Sequence, residues 1–191
     1  NIVFYTVGLQ VFARPLNSKR ARVHVITATM YSQSIELSLQ TIKSITKKFP
    51  PPYTLMCSGG VDTQAMLWVW KISQVPFTAV TFKYVDDSGA NYNNYDINTI
   101  FEFSKSLGVE IKEKEFNPFN FFETELCDFA SEYWCDSPQI TLYMKLSEQI
   151  TEGTVIFSGG FAATESVNYT ILGLQRYVEK TKRPMIPFFF K

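Results

Sequence analysis

The stretch Tyr53-Thr-Leu-Met-Cys-Ser-Gly-Gly-Val-Asp-Thr-Gln64 decides the fold. An apolar strand, Tyr53–Cys57, empties into a glycine turn and then into a helix from Thr63 to Ser73. Gly59 and Gly60 carry no Cβ, so the backbone bends sharply there and comes close to a ligand, while the first free N–H groups of the helix point into the turn. An anion is the natural occupant. Ser58 and Thr63 add hydroxyl donors, and Asp62 adds a carboxylate that repels phosphate unless a cation such as Mg²⁺ lies between them. The turn therefore reads as the seat of a nucleotide with its metal, with Asp62 as the metal residue.

Working outward, Phe77–Val85 is rich in β-branched and aromatic residues and reads as a second strand. The resulting strand-helix-strand unit favours a right-handed crossover and a parallel sheet, with ligands off the carboxyl ends of its strands. The rhythm continues through a polar loop at Asp87–Asn94, a helix over Asp96–Leu107 and a strand over Val109–Phe116. Helical segments follow at Phe119–Trp134 and Ser137–Ile150, then a buried strand at Thr154–Phe157 and a helix at Tyr169–Lys180. The expected fold is α/β, a Rossmann-like parallel sheet flanked by helices. On the amino-terminal side, Ser34–Lys48 has a helical apolar face ended by Pro50, and the β-rich stretches Ile2–Phe12 and Arg22–Thr29 suggest a short hairpin. This divides the chain into a β-rich extension, 1–30, and one principal domain, 31–191.

Composition narrows the function. The 191 residues carry eighteen basic and eighteen acidic side chains, so no bulk field draws the chain to nucleic acid or an anionic membrane. No apolar run approaches the roughly 20 residues needed to span a bilayer. The three cysteines, Cys57, Cys127 and Cys135, are too few and too far apart for a disulfide framework, which fits a reducing, cytoplasmic setting. The chain begins at Asn1 and ends on Phe188-Phe-Phe190-Lys191, which suggests a fragment or processed product whose apolar end docks on another subunit or a missing segment.

Ser58-Gly-Gly-Val-Asp-Thr63 resembles the S-G-G-x-D-[ST] pyrophosphate loop of the N-type ATP pyrophosphatases, a superfamily with an adenine nucleotide alpha hydrolase-like fold. It includes the synthetase domains of asparagine synthetase, GMP synthetase and NAD synthetase, together with tRNA sulfurtransferases. The resemblance implies cleavage of ATP between its α- and β-phosphates, with Mg²⁺, to adenylate a substrate oxygen. Val155-Ile-Phe-Ser-Gly-Gly160, following Ser137-Pro138 and its helix, resembles the second glycine turn of the asparagine synthetase branch. There Ser158, Gly159 and Gly160 would help hold the nucleotide, and Glu165 would act with Asp62 in catalysis. The aspartate expected before that glutamate is missing, since the chain reads Phe161-Ala-Ala-Thr-Glu165. No glutaminase domain is present, so the amine or other acceptor is a separate small molecule or comes from a partner domain.

The resemblance places adenine along the end of the second strand, near Thr81, Phe82 and Tyr84, and Phe82 and Tyr84 read equally as core residues. Lys83, Lys182 and Arg183 are candidates to counter phosphate charge, and Asp86 with Asp87 could take Mg²⁺ or an amine or simply cap a turn. His24 lies away from both glycine turns and reads as structural. Cys127 and Cys135 could share a helix face, as sulfur transfer would require, or pack as buried thiols. The asparagine synthetase-like ligase thus stands beside two alternatives, a tRNA sulfurtransferase-like enzyme and a nucleotide-binding module that has lost turnover. Homo-oligomerisation is a further expectation, carried by the apolar terminus.

Overall fold

Every residue of β2, Tyr53–Cys57, and of β5, Thr154–Ser158, is buried, as befits strands covered on both faces. The computed structural model of the chain describes residues 5–7, 20–158 and 167–190, and the side chains of 32–158 and 172–188. Its six strands lie in the order β1-β6-β5-β2-β3-β4, where β1 is Tyr5–Val7, β3 Thr78–Tyr84, β4 Ile111–Phe116 and β6 Met185–Phe190. Every neighbouring pair is parallel. The α/β class and parallel sheet expected from the sequence are therefore present.

The two-residue alternation of each strand sends side chains to two cores. Leu55, Cys57, Ile156 and Ile186 pack with Ile42, Met66 and Trp70, from helices α1 (Arg20–Lys48) and α2 (Val61–Ser73). Ile100 joins them from α3 (Asn94–Leu107). On the other face Met56, Val80, Val155 and Phe157 meet Phe129, Ile140 and Tyr177. These three come from α5 (Leu126–Tyr133), α6 (Pro138–Ser147) and α7 (Val167–Thr181). A short α4, Pro118–Asn120, runs into α5 through a π-helical turn at Phe121–Glu125.

Local signals explain the boundaries. Ser137 caps α6 by accepting from the Ile140 N–H at 3.4 Å, and Pro138 takes the first helical position, where its missing N–H costs nothing. Gly108 ends α3 at φ 61°, a left-handed conformation that glycine adopts without penalty.

Two expectations are overturned. The amino-terminal hairpin is not formed, because residues 22–29 belong to α1, which passes through residue 30, and β1 pairs with β6. No glycine or proline interrupts Arg20–Lys48, so the β-branched residues, only weakly averse to helix, are carried along with the amphipathic segment that follows. The apolar carboxyl-terminal run is likewise not a docking tail. It forms β6, registered Val155 to Met185 and Ser158 to Phe188, with Phe188 only 1% exposed. Pro187 concealed this strand, since a residue without an N–H argues against an interior position in a sheet.

Candidate functional site

Strand order places a topological switch at the centre of the sheet. From β2 the chain moves outward to β3 and β4, then returns across the sheet to β5 on the other side of β2. The connections part above the carboxyl ends of β2 and β5, and a crevice opens there. Ser58 follows the last residue of β2, and Ser158 ends β5. Thr63 and Ser158, from the two sequence motifs that resemble each other, are thus brought together, although 95 positions separate them.

The hydroxyls meet in a chain. Ser58 Oγ lies 3.0 Å from Thr63 Oγ1, which lies 2.8 Å from Ser158 Oγ. The Gly60 N–H donates to Ser58 Oγ at 3.3 Å, and the Gln64 side-chain amide donates to the Gly59 carbonyl at 2.8 Å. Gly60 is the N-cap of α2 with extended backbone and offers no side-chain cap. The first N–H groups of α2 thereby face the turn with no side-chain cap, at the positive end of the helix dipole.

A cleft of about 210 Å³ opens at the carboxyl ends of β2, β3 and β5, lined by Ser58, Thr63, Thr81, Phe82, Asp96 and Ser158 among others. That is below the roughly 300–1,000 Å³ of pockets for drug-sized ligands, so the described walls hold a small group or part of a larger ligand. Larger clefts of about 590 and 420 Å³ lie at the amino ends of the strands, around Lys71, Phe77 and Lys112 and around Pro51 and Arg183. The smaller cleft is the better candidate, because hydroxyls, a helix N-terminus and a carboxylate converge there.

Asp62 sits exposed in the first turn of α2. Sequence reasoning missed Asp96, in the first turn of α3. A Cβ built on Gly59 would stand 2.6 Å from Asp96 Cα and 2.9 Å from its Oδ1, so α3 seats directly on the glycine turn. The available signal was position alone, since the loop after the second strand of such a unit borders the crevice. Asn93 fixes this arrangement by donating to the Phe82 carbonyl and accepting from the Tyr84 N–H, both at 2.8 Å. Asp96 thus lines the cleft beside Ser58 and Thr63, while Asp62 lies one turn into α2 and outside the lining residues.

Other candidates are placed elsewhere. Phe82 borders the cleft yet is only 5% exposed and belongs to the core. Lys83 pairs with Glu115 at 2.8 Å, and Arg183 donates to the carbonyls of Ser147 and Ile150, where it lines the cleft at the amino ends of the strands. Lys182 lines the same cleft at the amino ends of the strands, away from Ser58 and Ser158 at the carboxyl ends. Gly159, Gly160 and Glu165 lie outside the described residues; so does the side chain of His24.

Asp86 organises its own loop. It accepts from the Ser88 hydroxyl at 2.6 Å, from the Tyr92 hydroxyl at 2.7 Å and from the Ser88 and Ala90 N–H groups at 2.9 and 3.0 Å. The Ser88 hydroxyl first, then Tyr92, hold its carboxyl down to about 2. A depressed carboxyl stabilises the folded loop above its ordinary pKa and loses that contribution as pH falls toward the folded value. We expect the Ala90 amide signal to shift between about pH 4 and pH 2 in a titration by magnetic resonance, and the shift to vanish in Asp86→Asn. Asp87 accepts from the Asn117 amide at 2.8 Å. Turn formation accounts for Asp86, and Asp87 ties that loop to the cap of α4.

The cysteines do not assemble. Cys57 and Cys135 are buried in cores on opposite faces of the sheet, while Cys127 is exposed on α5. Trp134 turns left-handed after α5 ends, which takes Cys135 off the helix face it would have shared with Cys127. Burial pushes the Cys57 thiol up to about 12. Brief treatment of the folded protein with an alkylating reagent should therefore label Cys127 alone, read by mass spectrometry. Labelling of Cys57 at a similar rate would contradict its burial.

Among the described residues, no group of three or more His, Cys, Asp or Glu side chains comes together as a metal centre. None of their helices is long and apolar enough to cross a membrane. No protein-family model and no curated protein matches the chain. Solved structures similar to this chain include the following two. A predicted subunit of tRNA methyltransferase from Methanocaldococcus jannaschii is 13% identical, over 71% of this chain and 67% of its own, with a TM-score of 0.45. The U34-tRNA thiolase NcsA from Methanococcus maripaludis, solved with its 4Fe–4S cluster, is 16% identical over 64% of this chain and 45% of its own, at a TM-score of 0.37. The fold and crevice together define the class: a doubly wound α/β protein with its candidate ligand site at the switch point.

Proposed function

We propose that this chain binds ATP in the crevice between β2 and β5 and splits it between the α- and β-phosphates, transferring the adenylyl group to an acceptor oxygen. The observation that carries the reading is the Ser58–Thr63 turn, uncapped at the start of α2 and joined by hydroxyls to Ser158. The α2 N–H groups and the Ser58 hydroxyl would hold the departing pyrophosphate and stabilise the charge that builds on it. Asp62 and Asp96 would hold Mg²⁺, which when bound offsets phosphate charge. Asp96 takes its place here by its contact with Gly59.

The acceptor distinguishes two forms of this enzyme. In the asparagine synthetase-like form a carboxylate is adenylated and then attacked by ammonia or an amine. In the tRNA sulfurtransferase-like form the acceptor is a base carbonyl, and the sulfur would come from an external donor, since the chain's own cysteines stand apart. A tRNA thiolase and a tRNA methyltransferase subunit are among the structures similar to this chain, so tRNA is one acceptor to try. ATP–Mg²⁺ binding by calorimetry on wild type and Asp62→Ala, followed by pyrophosphate release with amino acids plus ammonia or with tRNA, tests the reading. Binding weakened in the variant, with AMP and pyrophosphate formed in one pool, supports it and selects the acceptor. Binding without release in any pool favours a nucleotide-binding module, and no binding by the wild type ends the proposal.

A further inference from the structure

Thr63 and Ser158 are 4% and 7% exposed, so their hydroxyls have little access to solvent and must satisfy one another or a ligand. Three hydroxyls stand in line, Ser58, Thr63 and Ser158, joined by two hydrogen bonds. Each hydroxyl owns one proton and accepts through two lone pairs. Two of the three protons are spent on the two links, so the chain has one O–H left to donate into the cleft. Where it stands fixes the direction of every bond.

The phosphate seat determines that position. Ser58 is the exposed end of the chain, adjoining the glycine turn and the open N-terminus of α2, and its Oγ already accepts from the Gly60 N–H. A phosphate oxygen in the turn takes the Ser58 proton. Ser58 then cannot donate to Thr63, so Thr63 donates to Ser58, and Ser158 donates to Thr63. With its proton committed, Ser158 presents only lone pairs to the ligand.

Resting on the nucleotide reading above, we propose that Ser158 receives a hydrogen-bond donor, a hydroxyl or an amine of the nucleotide or of the attacking amine, and does not ligate a phosphate oxygen. Thr63 is then a positioning residue that transmits the polarity from one turn to the other. The assignment separates the two serines by chemistry: Ser58 reads the anion, Ser158 reads a donor.

The test measures binding of Mg²⁺–pyrophosphate, which offers no hydroxyl or amine, and of Mg²⁺–ATP with and without ammonium, by calorimetry on wild type, Ser58→Ala and Ser158→Ala. Ser58→Ala should weaken pyrophosphate roughly 10-fold or more, the loss expected of a hydrogen bond to a charged group. Ser158→Ala should leave pyrophosphate unchanged while weakening ATP, if the donor is on the nucleotide, or the added effect of ammonium, if it is on the attacking amine. Equal loss of pyrophosphate in both variants overturns the inference and leaves the nucleotide reading standing, as does a Ser158→Ala protein that binds every probe like the wild type. Wild type that binds neither pyrophosphate nor ATP overturns both. Should Ser158→Ala lower the unfolding temperature, Ser158→Cys keeps the volume, removes the good acceptor and repeats the measurement.

Discussion

Replacing Gly59 by alanine should separate α3 from the glycine turn and remove nucleotide binding. The added Cβ would lie 2.6 Å from Asp96 Cα and 2.8 Å from the Asp96 carbonyl oxygen, and both are backbone atoms that no rotamer change can move. Overpacking of this kind costs about 1–3 kcal/mol, and in a chain of this size each kcal/mol lowers the unfolding temperature by roughly 2–4 °C. Function suffers more than stability, because the displaced groups are the proposed phosphate turn and the first turn of α3 with Asp96. Gly60→Ala is the control. A Cβ there meets only Ser58 Oγ at 3.5 Å, and the backbone, at φ −66° and ψ 147°, suits any residue. Calorimetry and thermal unfolding on the pair decide the matter: equal behaviour of the two variants would mean that α3 does not seat on Gly59.

The second large effect is on rate. Ser58→Ala removes one preorganised donor from the proposed pyrophosphate seat, and such a loss costs about 2.7–4 kcal/mol of transition-state stabilisation, or roughly 10²- to 10³-fold in turnover. Stability should hardly change, because Ser58 is exposed and Thr63 keeps its bond to Ser158. Surface substitutions of this sort usually stay within about ±0.5 kcal/mol. Pyrophosphate release measured once the acceptor is known reads the effect directly. A Ser58→Ala enzyme that turns over within a few-fold of wild type would remove this hydroxyl from the chemistry.

Both predictions concern a turn that was legible before any coordinates. Tyr53–Cys57 is a strand because its residues are apolar and β-prone, and the helix follows because Gly60 can serve as its cap and Met66, Leu67, Val69 and Trp70 then fall on one buried face. Ser137-Pro138 marked the start of α6 for similarly local reasons. Local rules failed where a neighbour overrode them. Residues 22–29 join α1 because nothing breaks the helix behind them, and Met185–Phe190 is a strand because β5 and β1 pair with it on either side.

The sequence by itself determined the parallel α/β class, the strand-turn-helix junction after β2, and the presence of Ser58, Asp62 and Thr63 within it, since all of these follow from short-range geometry and side-chain chemistry. Only the tertiary structure decided that Ser158 stands 2.8 Å from Thr63, that Asp96 presses on Gly59, and that Lys83 and Arg183 are turned to other partners. Those facts depend on strand order. Placing β5 beside β2, and not beside β4 where the chain left the sheet, is a packing outcome of the whole domain that no local run of residues encodes.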